Sequence, residues 1–235
     1  GHDCRLFMQC SMLHEIEIPS QVRIIGESAF LGAAISKVTF HEGLTQIMDY
    51  AFKKSCLKEV TLPASLKYIG IQSFPGVDSV TLSSDDMPYG IAEAITSNTT
   101  PDNSHMYIKI KKPTTTVFMP RYIVTADAVT LDARLAIPSF RENCEKSLYD
   151  YGMRTEIKWE TAIKTMKEYP NDTVKTYLRR RSKNIIEMYM ELNDETGLID
   201  FIKLGVMTPK ALDDAYKKAK EKSLTTVMAY ICEAQ

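Results

Sequence analysis

The chain has 235 residues, of which 44% are hydrophobic, 9% aromatic and 25% charged, a composition typical of a folded globular protein. Twenty-nine basic and 30 acidic residues leave a formal net charge of −1, which argues against a dedicated nucleic-acid or membrane-surface protein. No run of about 18 apolar residues occurs, so the sequence predicts no membrane span. One or two domains fit this length.

The cysteines are few and widely spaced: Cys4, Cys10, Cys56, Cys144 and Cys232. Their odd number and the absence of a C-x-x-C motif argue against a disulfide framework and against a zinc site. Unpaired cysteines and abundant methionine favour a reducing, cytoplasmic compartment. A secreted or cell-surface location stays open, because the chain begins at Gly1 and a signal peptide could have been removed.

Three segments align without gaps at a period of 22 residues, starting at Leu13, Ile35 and Leu57. A partial fourth copy begins at Ser79 and is shifted by two positions, and the pattern breaks from Ser83 to about Pro113. The apolar columns are Ile16/Val38/Val60, Ile18/Phe40/Leu62, Val22/Leu44/Leu66, Ile25/Ile47/Ile69 and Phe30/Phe52/Phe74. So many matched columns indicate a true repeat, and a period of this length is typical of a solenoid.

Each copy predicts one coil of that solenoid. The alternating triplet Ile16-Glu17-Ile18 predicts a short strand, which Pro19 ends because proline cannot donate to a ladder. One coil cannot bury its own apolar side, so coils must stack, with the strands in a parallel sheet and the phenylalanine column inside. The segment Tyr107 to Val124 contains two further strand-like runs and predicts the final coils that cap the apolar end.

The segments IPSQVRIIGESAF and LPASLKYIGIQSF resemble the bacterial BspA-like leucine-rich repeats over about Phe7 to Leu82. The second copy departs from that pattern, with Met48 in place of glycine and His41 in place of proline. Phe7-Met8 stands where a preceding copy should end, so the solenoid is expected to begin inside a repeat. The resemblance implies a protein-binding solenoid or a secreted adhesin.

The C-terminal half predicts amphipathic helices. Apolar residues at helical spacing follow Asp172, the expected N-cap, as far as Leu192, and only Arg181 interrupts them. Arg181 is therefore expected to point into the apolar stripe, with Arg179 and Arg180 pointing away. A helix from Glu156 to Tyr169 should bury Trp159 and Ile163.

Three more short helices follow. Asp194 should cap the first, which ends at Gly205; Thr208-Pro209 should open the second, and the third follows Ser223. They resemble degenerate ankyrin-type helix pairs in which Phe201 and Tyr230 are equivalent, although the ankyrin β-turn signature is missing. The predicted fold is α+β, with a leucine-rich repeat solenoid at residues 4–126 and an α-helical hairpin module at 127–235.

No residue pattern points to catalysis. The histidines are His2, His14, His41 and His105; His14 and His41 fall in different repeat columns, so no metal pair is implied. Nucleotide-loop, zinc-protease and hydrolase motifs are absent from the sequence. We therefore expect no enzyme, cofactor or metal, and we expect Cys56 to be a small buried apolar residue.

Three basic runs could contact phosphates: Arg179-Arg180-Arg181 with Lys183; Lys217, Lys218, Lys220 and Lys222; and Lys109, Lys111 and Lys112. No aromatic residue interleaves them as a stacking platform, which favours solvated helix faces over nucleic-acid binding. A nucleic-acid-associated regulator that uses Arg179–Arg181 stays the second alternative function.

The outward strand positions form the candidate partner-binding face. One column holds Glu15, Lys37 and Glu59, with opposite charges on neighbouring strands, and the other holds Glu17, Thr39, Thr61 and Thr81. Exposed repeat sheets are common binding surfaces. The leading hypothesis is a non-enzymatic scaffold that presents this face to a protein partner; a secreted or surface adhesin is the first alternative.

Overall fold

The computed structural model describes residues 12–99 and 105–234. The strands there are β1 (Glu15–Glu17), β2 (Ile24–Ile25), β3 (Lys37–Thr39), β4 (Gln46–Ile47), β5 (Glu59–Leu62), β6 (Tyr68–Ile69), β7 (Ser79–Leu82), β8 (Tyr107–Lys111) and β9 (Thr116–Pro120). The helices are α1 (Ile91–Ile95), α2 (Thr125–Leu135), α3 (Pro138–Arg141), α4 (Thr155–Glu168), α5 (Asp172–Glu191), α6 (Glu195–Lys203), α7 (Pro209–Glu221) and α8 (Thr225–Ala234). His2, Cys4, Cys10, Phe7-Met8 and residues 100–104 of the predicted polar loop lie outside the described residues.

The chain divides into two compact units between Thr161 and Ala162. The first holds the solenoid, α1 to α3 and the beginning of α4; the second holds the rest of α4 and α5 to α8. Helix α2 packs against α1, on the solenoid. The predicted boundary after residue 126 lies where the repeat sequence ends and the helical sequence begins. That division of the chain stays a prediction.

The first unit is a parallel-strand solenoid, as the 22-residue period predicts. β1 pairs in parallel with β3 and β5 with β7, while β2, β4 and β6 form a separate three-stranded parallel sheet. Paired residues are repeat equivalents, such as Ile16 with Val38. Met48, which stands where the other copies have glycine, leaves this geometry intact. The Met48 N–H donates to the Ile25 carbonyl, and the Gly70 N–H donates in the same way to the Ile47 carbonyl.

The predicted phenylalanine column is confirmed as a buried ladder. The rings of Phe30 and Phe52 stack with centroids 4.9 Å apart, and those of Phe52 and Phe74 with centroids 5.1 Å apart. Phe40 contacts Phe52 and Phe74 edge-on. Phe52 is fully buried at the middle of this stack, so it is the side chain on which the core packing depends most.

The repeat pattern breaks at Ser83 in the sequence, yet the chain completes a fourth coil in the structure. The Ile69 N–H donates to the Tyr89 carbonyl and the Phe74 N–H to the Ala94 carbonyl, each at 2.9 Å. Helix α1 takes the place of the turn that carries phenylalanine in earlier coils. Gly90 lies at φ +87°, and a Cβ there would stand 2.1 Å from the Ile69 carbonyl oxygen, so only glycine fits this close approach.

The two strand-like runs predicted within Tyr107–Val124 are strands β8 and β9. β8 extends the sheet parallel to β7, and β9 returns antiparallel to β8. The buried Arg121 holds this end in place: its guanidinium pairs with Asp78, and its Nε donates to the His105 carbonyl at 2.7 Å. An antiparallel strand cannot receive another coil in the repeat register, so the stack ends here.

Asp132 of α2 caps α1 across the fold. Its Oδ1 accepts from the Ala92 N–H at 2.8 Å and its Oδ2 from the Glu93 N–H at 3.0 Å. Gly90, at the N-cap of α1, has no side chain that could do this. Burial raises the pKa of Asp132 to about 6 against the pull of the two N–H groups, and the nearby Glu93 carboxylate adds to the increase.

In the second unit the predicted helix boundaries are largely confirmed. Asp194 caps α6 by accepting from the Gly197 N–H, Gly205 ends that helix at φ +61°, and Thr208 caps α7. The cap of α5 is Asn171 and not Asp172, since its Oδ1 accepts from the Val174 N–H at 2.9 Å. Trp159 and Ile163 of α4 are buried, as predicted.

The prediction that Arg181 lies in the apolar stripe of α5 is wrong. The stripe passes from Leu178 to Ser182 and Ile185, and Arg181 is exposed, with its guanidinium 4.5 Å from the centre of the Tyr177 ring. Ser182 fits the buried position because its hydroxyl donates to the Arg179 carbonyl at 2.7 Å. Serine thus interrupts the stripe without leaving an unsatisfied polar group.

The three cysteines of the described chain are free. Cys144 is buried, which raises the pKa of its thiol to about 11. Cys56 and Cys232 are exposed, so the predicted burial of Cys56 is wrong. The next residue, Leu57, takes the inward position at the start of the following coil. Within the described residues no helix is both long and apolar enough to cross a membrane.

Phe52→Ala should lower the free energy of unfolding of the first unit by about 3–5 kcal/mol, because it removes the central ring of the ladder. Urea unfolding followed by circular dichroism measures this change. Phe52→Leu, which keeps most of the apolar volume, should cost less. Equal stability of Phe52→Ala and the wild type would contradict the ladder.

The Asp132 pKa makes stability depend on pH in a defined direction. The folded pKa of about 6 exceeds the ordinary value of 3.8, so the folded state binds the proton more tightly. The proton on Asp132 stabilises the folded state fully below about pH 4. This stabilisation of roughly 3 kcal/mol is lost as the pH rises through 6. Asp132→Asn should remove this dependence in urea unfolding across that range. Asp127→Asn, at an exposed position of the same helix, should keep it.

Candidate functional site

The structure brings the predicted partner-face residues onto one outward surface. In register, Glu15 faces Lys37 and Glu17 faces Thr39, while Thr61 faces Thr81 in the sheet of β5 and β7. All seven predicted residues lie on these four strands, and β3 and β5 are neighbours although no ladder joins them. Six of the seven side chains are exposed, and only Thr81 is half-buried.

Charges on this first strand face are paired across coils. Lys37 forms an ion pair with Glu15, and His41 Nε2 lies 2.7 Å from Glu17 Oε1. Exposed ion pairs of this kind contribute only about 0.2–1 kcal/mol each to the free energy of unfolding. Their main consequence is the arrangement of charges on the surface. The two columns continue into β8 with Lys109 and Lys111. The face therefore runs from acidic on β1 to basic on β8.

A second outward column escaped the sequence analysis. It runs along the sheet of β2, β4 and β6 and holds Ile24, Gln46, Tyr68 and, by a bridge beyond the sheet, Tyr89. Ile24 is 54% exposed and Tyr89 is 51% exposed. The Tyr68 and Tyr89 rings stack with centroids 6.5 Å apart. The signal was present in each repeat, in the residue that precedes the inward Ile25, Ile47 and Ile69.

Acidic groups border this tyrosine pair. Burial, together with the carboxylates of Asp49 and Glu93, raises the pKa of Tyr68. Burial and Asp49 likewise raise the pKa of Glu93. Asp49 is held in place because its Oδ1 accepts from the Ile71 N–H at 3.0 Å. The column thus combines exposed apolar surface with fixed negative charge.

The second unit brings together two basic runs that are far apart in sequence. Helices α5 and α7 flank a groove of about 580 Å³. Its cationic residues are Arg179, Arg180, Lys183, Lys210, Lys217 and Lys218. Arg181, Lys220 and Lys222 do not line it, and the third basic run lies on and just after β8 in the first unit. Nothing in the sequence pattern alone places α5 beside α7.

Some of these cations have structural partners. Arg179 Nε donates to the Val206 carbonyl at 3.0 Å, and Lys218 pairs with Glu187, whose pKa that hydrogen bond lowers. Lys217 Nζ lies 4.0 Å from an Asp214 oxygen. Arg179, which we expected to point away from the apolar stripe, is the member of the arginine run that contacts the neighbouring loop.

Residues 3–115 match the family model described as BspA type leucine rich repeat region, in 6 copies. The N-terminal part of the chain is therefore similar to BspA-type leucine-rich repeats, and it folds as a parallel-strand solenoid. The match extends beyond the repeats read from the sequence and includes β8 but not β9, in agreement with the fourth coil. Neither the curated proteins nor the solved structures include a significant match.

Leucine-rich repeats generally serve as protein-interaction or scaffold modules and are generally not enzymes. Residues 12–99 and 105–234 contain no group of three His, Cys, Asp or Glu side chains that could hold a metal ion. The exposed features are two strand faces in the first unit and a charged groove in the second.

Proposed function

We propose that the chain is a non-enzymatic protein-binding scaffold whose solenoid presents its strand faces to a protein partner. Each coil is tied to the next by backbone hydrogen bonds, so the surface is rigid and little conformational entropy is lost on binding. The seven residues Glu15, Glu17, Lys37, Thr39, Glu59, Thr61 and Thr81 would form a polar face that steers and orients the partner through its charge pattern.

The observation that carries this proposal is the column of Ile24, Tyr68 and Tyr89. Tyrosine is enriched among residues that dominate binding energy, since it offers a large apolar ring and a polar hydroxyl. Ile24 and Tyr89 are about half exposed, so each leaves apolar surface open to a partner. The column would supply the apolar contact that the first strand face lacks.

The helical unit supports the same kind of function. We propose that α6, α7 and α8 form ankyrin-like helix pairs, with α8 packed against both α6 and α7 and with Lys203 over the Tyr230 ring. Free cysteines in both units support a reducing, cytoplasmic setting. A secreted or surface adhesin is the alternative that the repeat family leaves open.

Ile24→Ser combined with Tyr89→Ser should weaken partner binding about tenfold or more, because it removes both exposed apolar contacts. The immobilised protein captures partners from a lysate of the organism that makes it, and mass spectrometry identifies them. The affinity of each captured protein for the wild type and the variant is then measured by surface plasmon resonance.

Val129→Ser with Ile137→Ser is the matched control, since both residues are exposed apolar side chains of the first unit outside the strands. Lys37→Glu with Lys111→Glu tests the first strand face. If the partners bind the wild type, the Ile24→Ser/Tyr89→Ser variant and the Lys37→Glu/Lys111→Glu variant equally well, the strand faces have no role in binding.

A further inference from the structure

The groove between α5 and α7 combines a charged rim with an apolar floor. Ile186 of α5 and Ala215 of α7 line it and are buried, and Ala211 is half-buried. The alanines leave room for side chains of a bound segment to approach the helix backbone. All of these residues belong to the second compact unit, so the groove does not involve the solenoid.

The rim carries more positive than negative charge. Its six cations face three carboxylates, those of Glu187, Asp214 and Glu221. Glu187 is paired with Lys218 and Asp214 lies beside Lys217. Within the described chain, no ion pair holds Arg180, Lys183 or Lys210, although Lys183 is close enough to help lower the pKa of Glu187. These three side chains are available to an anionic ligand.

We propose that this groove binds an acidic, partly apolar peptide segment of a partner protein. Carboxylates of the segment would pair with Arg180, Lys183 and Lys210, and its apolar side chains would lie over Ile186, Ala211 and Ala215. Helix α7 has 13 residues, and at 1.5 Å per residue it spans about 20 Å, enough for a helical segment of three to four turns. This is the helix-in-groove mode of recognition.

The composition of the groove favours a peptide over a nucleic acid. No aromatic residue lines it, so bases would have no ring on which to stack. Three carboxylates would repel a continuous phosphate backbone, whereas a peptide can place its negative charges only where the cations are. The chain as a whole carries a net charge of −1 and gives no long-range attraction for nucleic acid.

Lys183→Glu combined with Lys210→Glu tests the proposal, because it reverses one cation on each wall of the groove. The matched control is Lys175→Glu with Lys220→Glu, which makes the same change on the same two helices at positions that do not line the groove. Circular dichroism and melting temperature establish that both variants fold.

The probe is a fluorescein-labelled helical peptide of about four turns with Glu on one face and Leu and Ala on the other, and fluorescence anisotropy measures its affinity. The wild type and the control variant should bind it, with an affinity that falls as salt rises. The groove variant should bind about tenfold or more weakly, since like charges now face each other. The peptide with Gln in place of Glu should bind no form tightly.

Equal binding of the acidic peptide by the groove variant and the wild type would overturn the proposal, as would failure of the wild type to bind it. Single-stranded and duplex DNA are measured in parallel. Tighter binding of DNA than of peptide by the wild type, lost in the groove variant alone, would reassign the groove to nucleic acid and overturn the peptide proposal.

Discussion

The solenoid depends on backbone hydrogen bonds that repeat from coil to coil. They run through the strands and also through the turn that carries the phenylalanines: the Ser28 N–H donates to the Asp49 carbonyl, and the Tyr50 N–H donates to the Ile71 carbonyl. Ser28, Tyr50 and Gln72, one repeat apart, all adopt left-handed backbone with φ near 50°. Such a conformation costs about 1–2 kcal/mol at a non-glycine residue, so the hydrogen bonds and the stacked rings must offset it in every coil.

This constraint explains which changes the repeat tolerates. Between the third and fourth coils the spacing falls, yet Val60 still pairs with Val80 and Tyr68 still bridges to Tyr89. The shortening lies before β7, because Val80 follows Phe74 by six residues whereas Val60 follows Phe52 by eight. Replacement of the phenylalanine by Ala94 ends the ring stack, and α1, capped by Asp132, closes that side of the coil.

Sequence reasoning succeeded where one local rule decides the outcome, and failed where a distant partner decides it. Repeated columns gave the register, and capping residues such as Asp194 and Thr208 gave helix ends, because these act within a few residues or one repeat. The fourth coil lacks the phenylalanine that marks the others. The tilt of the α5 stripe toward Ser182, and the meeting of α5 with α7, depend on tertiary packing that no periodicity encodes.

Polar side chains of the solenoid are mostly engaged in the stack itself. Glu42 accepts from the backbone N–H groups of Ala64 and Ser65, which lowers the pKa of Glu42. Asp49 accepts from the Ile71 N–H.

Each of these bonds joins positions about one repeat apart, so the residues are explained by the fold alone. A binding surface must then consist of side chains that the fold does not use. In the first unit those are the exposed Ile24 and Tyr89, and in the second they are Arg180, Lys183 and Lys210. The two units therefore offer different chemistry, apolar and aromatic on the solenoid and cationic between the helices.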